Sequence, residues 1–253
     1  MSVKIILEAG INHDGSLAKA KKMIDLAAYA GADFIKFQTF KANDLMIKSA
    51  PKAPYQRKNL KNKKSQYEIL KKLELSEKDH TELIRHCKKR KIDFLSSSFS
   101  IEGLDLLRKL KLKIIKVPSG EITNLPYLKH LGKFRKKIIL STGMSYLSEV
   151  EQALKILIKA GTPKKNITIL HCNTDYPSLA KDINLNAMTT IKKKLGVKVG
   201  YSDHSLGITV PVAAAALGAA IIEKHFTLNK NHYGFDHKAS LSPDEVFDMI
   251  IKI

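Results

Sequence analysis

Eight short apolar runs recur along this chain, and each stops on residues able to do chemistry. They are KIILEAG (4–10), FIKFQTF (34–40), DFLSSSF (93–99), IIKVPSG (114–120), KIILSTG (137–143), ITILHCN (167–173), KVGYSDH (198–204) and AAIIEKHF (219–226). Each begins rich in Ile, Leu, Val or Phe, as a strand buried on both faces does in a parallel sheet. Near their C-terminal ends stand Glu8, Lys36, Gln38, Ser97, Lys116, Ser119, Ser141, His171, Ser202, His204 and His225. A parallel barrel collects all its strand C-termini on one face. Residues far apart in sequence then meet around one pocket, and the runs predict that arrangement.

Segments with helical spacing separate the runs. Residues 17–30 place Ala20, Met23, Ile24 and Ala27 on one face and stop at Gly31. Residues 76–90 open with Ser76 and Asp79 in the positions of a capping box. Further helices are expected over 101–112, 147–160, 189–195, 208–217 and 244–251, whereas 122–131, carrying Pro126, has a weak helical pattern. Strand and helix alternate eight times, which predicts an α/β fold of the (β/α)8 TIM-barrel type with residues 1–253 as one domain. A chain of 253 residues has the length of such a barrel. One connection is long: residues 41–75 hold Pro51, Pro54, several lysines and only the brief pattern QYEILKKL. Long excursions in compact domains are functional or disordered. Its place after the second strand makes it a lid or wall of the pocket.

Composition removes several classes of function. No apolar stretch is long enough to span a membrane, and Met1 leads directly into the first strand without a signal-peptide pattern, so a cytoplasmic location is expected. Cys87 and Cys172 do not suggest a disulfide framework. Lys plus Arg number 44 against 24 Asp plus Glu, an excess of 20 positive charges. Nucleic acid attracts such chains, but the lysines are dispersed and no aromatic residues interleave with them as a stacking platform. The expected partners are therefore small molecules, with a positive field that draws in an anionic substrate.

Two kinds of ligand are suggested by the strand ends themselves. His204 and His225 end neighbouring strands, and either alone reads as hydrogen-bonded structure. Together, with His171 and His237 near, they read as a divalent-metal site (Mn, Mg, Co or Zn) that Asp203, Asp236 or Glu8 can complete with oxygen. Lys36 and Lys116, beside the Ser119–Gly120 and Ser141–Gly143 turns, supply the charge, hydroxyls and open amides that a phosphate or carboxylate needs. Glu8, Glu121 and Asp236 are the carboxylates available for proton transfer, with a surface salt bridge the competing role for Glu121. No P-loop or GxGxxG pattern is present.

Ten ordered stretches carry a resemblance: EAGINHDG (8–15), GADFIKFQTF (31–40), APYQ (53–56), QYEILKKLELS (66–76), KVPSGEI (116–122), LSTGM (140–144), LHCNTDYP (170–177), VGYSDHSLG (199–207), IEKHFTL (222–228) and GFDHKASLSP (234–243). On these the chain resembles the sialic acid synthase family, which includes N-acetylneuraminate, legionaminic acid and pseudaminic acid synthases. The resemblance implies condensation of phosphoenolpyruvate with an N-acetylated hexosamine, N-acetylmannosamine or a diacetylated analogue, to a nine-carbon sugar acid with release of phosphate. It implies that His204 and His225 hold a divalent metal. It also implies that Lys36, Lys116, Ser119, Ser141 and Ser202 seat phosphoenolpyruvate, that Glu8 or the metal activates water, and that Gln38, Glu121, Tyr176 and Asp236 position the amino sugar. The stretch QYEILKKLELS favours the sialic or legionaminic branch.

Departures from the family pattern bear on these expectations. Thr174 stands where members often carry Asn, so either Asn173 substitutes for it or the phosphate has one ligand fewer. Phe235 stands where Pro is usual. Members normally continue into a small antifreeze-like domain whose arginine reaches the partner subunit's sugar site, and that domain is expected to be absent here. A homodimer is then possible but not assured, and a non-catalytic barrel that retains phosphoenolpyruvate or anion binding is the alternative.

Overall fold

Side chains on a strand alternate between two faces, so each of the eight runs builds two cores at once. The computed structural model describes residues 2–51 and 65–253. The stretch APYQ and the middle of the long connection lie outside the described residues. The strands are β1 (Lys4–Gly10), β2 (Phe34–Thr39), β3 (Asp93–Ser98), β4 (Ile114–Val117), β5 (Lys137–Ser141), β6 (Ile167–Cys172), β7 (Lys198–Asp203) and β8 (Ile221–His225). They close into one parallel barrel in sequence order, with β1 pairing both β2 and β8. The predicted (β/α)8 barrel is therefore the observed fold.

One set of alternate residues faces outward and packs against helices. Leu7, Ile35, Ile115, Ile138, Ile169, Val199 and Ile222 join Met23, Ile24, Leu83, Leu104, Leu128 and Leu157 in the large outer core. The other set fills the barrel, where Ile6, Leu95, Ile139 and Leu170 form an interior layer over Phe34, Ile114 and Ile221. Gly200 belongs to this layer, and a Cβ there would lie 2.3 Å from the Ile221 carbonyl oxygen and 2.7 Å from Leu170 Cδ2. The lumen is already full at that level, which closes off the floor of the space above it.

The helices start where local chemistry says they should. Ser76 accepts from the Asp79 amide while the Asp79 carboxylate takes the Ser76 amide, closing the expected capping box on the helix Glu77–Arg90. The weak segment forms the helix Leu125–Gly132, with Pro126 in its first turn and Asn124 as N-cap. Proline costs nothing at that position, because its missing N–H would have no partner there. The long connection begins with the short helix Ala42–Leu45 and ends with the helix Gln66–Leu73. Ile11, Phe40, Ala42, Leu70 and Phe235 form a separate apolar cluster that joins this connection to the loops after β1 and β8. Among the described residues, no helix is long and apolar enough to cross a membrane.

Candidate active site

The inward series on six of the strands changes from apolar to polar on going up the barrel. Ile6 gives way to Glu8, Phe34 to Lys36 and Gln38, Leu95 to Ser97, Ile114 to Lys116, Ile139 to Ser141, and Ile221 to Glu223 and His225. These polar residues line a cavity of about 390 Å³ at the C-terminal face, within the range of small-molecule sites. Leu45, Met46, Gln66 and Leu70 line its side, so both described flanks of the long connection form part of the wall.

At the floor, two ammonium groups converge on one carboxylate. Lys36 Nζ lies 3.7 Å and Lys116 Nζ 3.5 Å from the Glu223 carboxylate. Lys36 also pairs with Glu8 at 2.9 Å and donates to Ser97 Oγ at 3.0 Å. Lys116 donates to Ser141 Oγ at 2.7 Å, and Ser202 donates to Glu223 Oε1 at 2.9 Å. Register creates part of this network, since Glu8 stands directly beside Lys36 on one side and His225 on the other. All of these side chains are buried.

Burial and mutual attraction set their charge. Burial alone would raise the Glu223 carboxyl, yet Lys116 and Lys36 outweigh it and hold it down at about 2. Glu8 goes the other way, because burial pushes it up to about 7 and the nearby Glu223 charge adds to the effect. Burial lowers Lys116, whereas for Lys36 the pull of Glu223 and Glu8 overcomes burial and raises it. Two lysines thus face one firmly ionised carboxylate and one that readily takes a proton. The floor has a positive surplus suited to a small anion.

Above the floor lie the two imidazoles, with ring centres 5.6 Å apart. Tyr176 stacks on His204 at 4.1 Å, its hydroxyl 3.0 Å from His204 Nε2, and the backbone carbonyl of Asn173 takes His204 Nδ1. Burial lowers His204 to about 4. Burial, His204 and Lys36 together hold His225 well below the usual imidazole range. Both rings are therefore neutral near pH 7, the form that binds metal. His204 Nδ1 on a carbonyl leaves Nε2 as the electron-pair donor, and that is how ligating histidines are oriented. His225 Nδ1 is buried without a hydrogen-bond partner, 4.0 Å from Asp236 Oδ2. Burial raises the Asp236 carboxyl to about 6. This donor set fits a divalent cation.

Most of the expected site residues come together here: Glu8, Lys36, Gln38, Lys116, Ser119, Ser141, Thr174, Tyr176, Ser202, His204, His225 and Asp236 all line the cavity. Glu121 and Asn173 do not. The Glu121 carboxylate accepts from Asn124 Nδ2 at 2.6 Å, and the Asn173 amide donates to the Asp182 carbonyl at 2.8 Å. Asn173 reaches the site only through its backbone carbonyl, which holds His204. Asp203, expected as a possible metal ligand, points to the outer face, where it pairs with the buried Lys224 and accepts from Ser205 Oγ at 3.0 Å. His171 also faces away, with its ring against Tyr201, and His237 pairs with Asp14 on the outer rim. Glu223 was missed, although a signal existed: it precedes His225 by two residues on one strand, and that spacing puts both on the same face.

The chain is similar to several known proteins. An N,N'-diacetyllegionaminic acid synthase of Campylobacter jejuni is 57% identical over 242 residues, which cover 96% of this chain and 72% of that protein. The enzyme of the same description from Legionella pneumophila is 44% identical over 255 residues, covering 100% of this chain and 72% of the relative. The crystal structure of an N-acetylneuraminic acid synthetase from Leptospira borgpetersenii, in complex with citrate, superposes with a TM-score of 0.90 at 34% identity, over 100% of this chain and 82% of that one. The sequence pattern of the NeuB family matches residues 23–253. Sequence and barrel agree that the chain belongs to the NeuB family of sialic-acid-type synthases.

Proposed function

We propose that residues 1–253 act as one barrel domain that condenses phosphoenolpyruvate with a diacetylated hexosamine to a legionaminic-type nine-carbon sugar acid, releasing phosphate. The observation that carries this reading is the floor of the cavity, where Lys36 and Lys116 converge on Glu223 beneath the His204–His225 pair. The two relatives described as N,N'-diacetyllegionaminic acid synthases favour the diacetylated sugar.

In this mechanism Lys36 and Lys116 hold the phosphate and carboxylate of phosphoenolpyruvate, with Ser97, Ser119, Ser141 and Ser202 as hydroxyl partners. Charges already fixed in a buried site need no reorganisation when the phosphate departs. Gln38, Tyr176 and Asp236 orient the open-chain sugar above. A bond forms between C3 of phosphoenolpyruvate and the aldehyde carbon, and the aldehyde oxygen takes a proton to become a hydroxyl. Water adds at C2 and gives one proton to Glu8, which balances the one taken by the aldehyde oxygen. The C2–O bond to phosphate then breaks, its electron pair and the remaining hydroxyl proton going to the phosphate, to leave a ketone. His204 and His225 would hold a divalent ion such as Mn, Mg or Co, whose contribution is Lewis-acid polarisation of a carbonyl oxygen. The apolar wall of Leu45, Met46 and Leu70 limits the entry of bulk water.

The test is phosphate release from a panel of mono- and diacetylated hexosamines. Release that needs phosphoenolpyruvate, a divalent ion and a diacetylated sugar together supports the assignment. Turnover with a monoacetylated sugar alone would move the substrate to the N-acetylmannosamine branch. Absence of release with every sugar would overturn the reaction itself.

A further inference from the structure

Among the described residues, a further cluster of side chains of metal-ligand type lies outside the cavity, on the outer rim of the barrel. Asp14, in the loop after β1, and His232 and His237, in the loop after β8, bring their ligand atoms within 4.8 Å of one another. Asp14 Oδ1 is 3.0 Å from His237 Nε2, and Asp14 Oδ2 is 3.8 Å from His232 Nδ1. We propose that these three residues form a second divalent-metal site, of zinc type, which ties the β1 and β8 loops together.

The donor set is the first argument. Two imidazoles and one carboxylate, with a fourth position left to water, make a common tetrahedral zinc shell. Such a shell needs ligand atoms about 3.3 Å apart, given Zn–N and Zn–O bonds near 2.0–2.1 Å. The Asp14–His237 separation is already close to that. His232 is the member that must close in, and its half-exposed side chain on a loop can do so at little cost.

The surroundings of His237 are the second argument. Its ring is buried, with Nδ1 2.7 Å from Thr227 Oγ1. The Thr227 hydroxyl can donate onward to the Asn229 carbonyl at 3.2 Å and accepts from the Asn229 amide at 3.2 Å, which leaves its second lone pair to accept the Nδ1 proton. Without metal, the ring proton sits on Nε2 and is donated to Asp14. With metal, the same proton sits on Nδ1 and is donated to Thr227, and Nε2 turns its electron pair to the ion. The change is one of tautomer, a proton lost at Nε2 and one gained at Nδ1, and a hydroxyl behind a ligating histidine holds its orientation as other hydrogen-bond acceptors do.

Space and charge complete the case. A Cβ at Gly234 would lie 2.8 Å from His237 Nε2 and 2.5 Å from its Cδ2, so glycine keeps the ligating edge of the ring open. Lys19 Nζ sits 2.8 Å from Asp14 Oδ2 and acts as a stand-in cation that an incoming ion must displace. An ion here would also fix the segment that delivers Asp236, the neighbour of His237, to the cavity.

The experiment is equilibrium dialysis of the full chain against Zn(II), with metal per chain measured by atomic emission and the Co(II) absorption spectrum as a second readout. Two ions per chain are expected, falling to one in His232→Leu and to one in the His204→Ala/His225→Ala double variant. Adding Lys19→Gln to that double variant should tighten the remaining site several-fold. Two ions retained in His232→Leu would overturn the proposal, as would none in the double variant or unchanged affinity on removing Lys19. Melting curves of each variant without metal verify that it folds.

Discussion

Glu223→Gln tests the charge logic of the cavity floor directly, because it removes a buried carboxylate and leaves both lysines in place. Glu223 lies 3.5 Å from Lys116 and 3.7 Å from Lys36. With an effective dielectric near 20, each attraction is worth about 4–5 kcal/mol before desolvation is counted. Relief of the buried carboxylate's own desolvation offsets much of that sum. Breaking a buried pair from one side costs about 3–5 kcal/mol net. At about 2–4 °C per kcal/mol for a chain of this size, the melting temperature should fall by about 10 °C. The assay is thermal unfolding by circular dichroism in chloride buffer, repeated with rising inorganic phosphate or phosphoenolpyruvate. An anion binding between the lysines takes the place of the lost carboxylate. It stabilises by about 2.7 kcal/mol at a hundred times its dissociation constant, and should bind the variant more tightly than the parent. The gap between the two proteins should therefore narrow as anion is added. A variant as stable as the parent in chloride, or a gap that phosphate leaves unchanged, would refute the reasoning.

Three further outcomes are expected. Glu8 rises from 4.5 in the unfolded chain to about 7 in the fold, so its contribution to stability is present below about pH 4.5 and is lost as pH rises through 7. Glu8→Gln, measured with chelator present, should lose stability less steeply over that interval than the parent, and parallel pH curves would count against the shift. Gly200→Ala forces a methyl group against the Ile221 carbonyl and Leu170. Denaturant titration should show a loss of about 1–3 kcal/mol, and no loss would mean that the lumen is not packed at that level. Replacing both His204 and His225 by Ala, or chelating the metal from the parent protein, should lower phosphate release by at least about a hundredfold, the range that loss of transition-state electrostatics produces. Full activity in the double variant would remove the imidazole pair from the reaction.

The legible part of the site follows from the period of a strand. Lys36, Lys116, Ser141, Ser202 and His225 could be placed together because each ends a run buried on both faces, and a barrel leaves such ends only one place to meet. The same period was available for Glu223, two residues before His225, and for Asp203, one residue after Ser202 and so on the opposite face. Glu223 is absent from the expected site and Asp203, one of three oxygen ligands offered there, faces outward, because a charged residue next to a histidine suggests a ligand more readily than it suggests a facing. The 3₁₀ turn Ser119–Glu121 was harder to read, since loop geometry has no period and the Glu121 carboxylate is taken by Asn124.

By itself, the order of residues determined the eight strands, their sequence around a closed barrel and the face on which the chemistry collects. Burial in a parallel sheet writes those properties into contiguous apolar runs. Partnership was decided only by the tertiary structure. It set Glu8 between Lys36 and His225, Asp203 opposite Lys224 on the outer face, and Asp14 against His237 across more than 200 residues of chain. Those pairings depend on the stagger of neighbouring strands and the paths of loops. No single strand or helix encodes them, because they arise when separate elements are packed against one another.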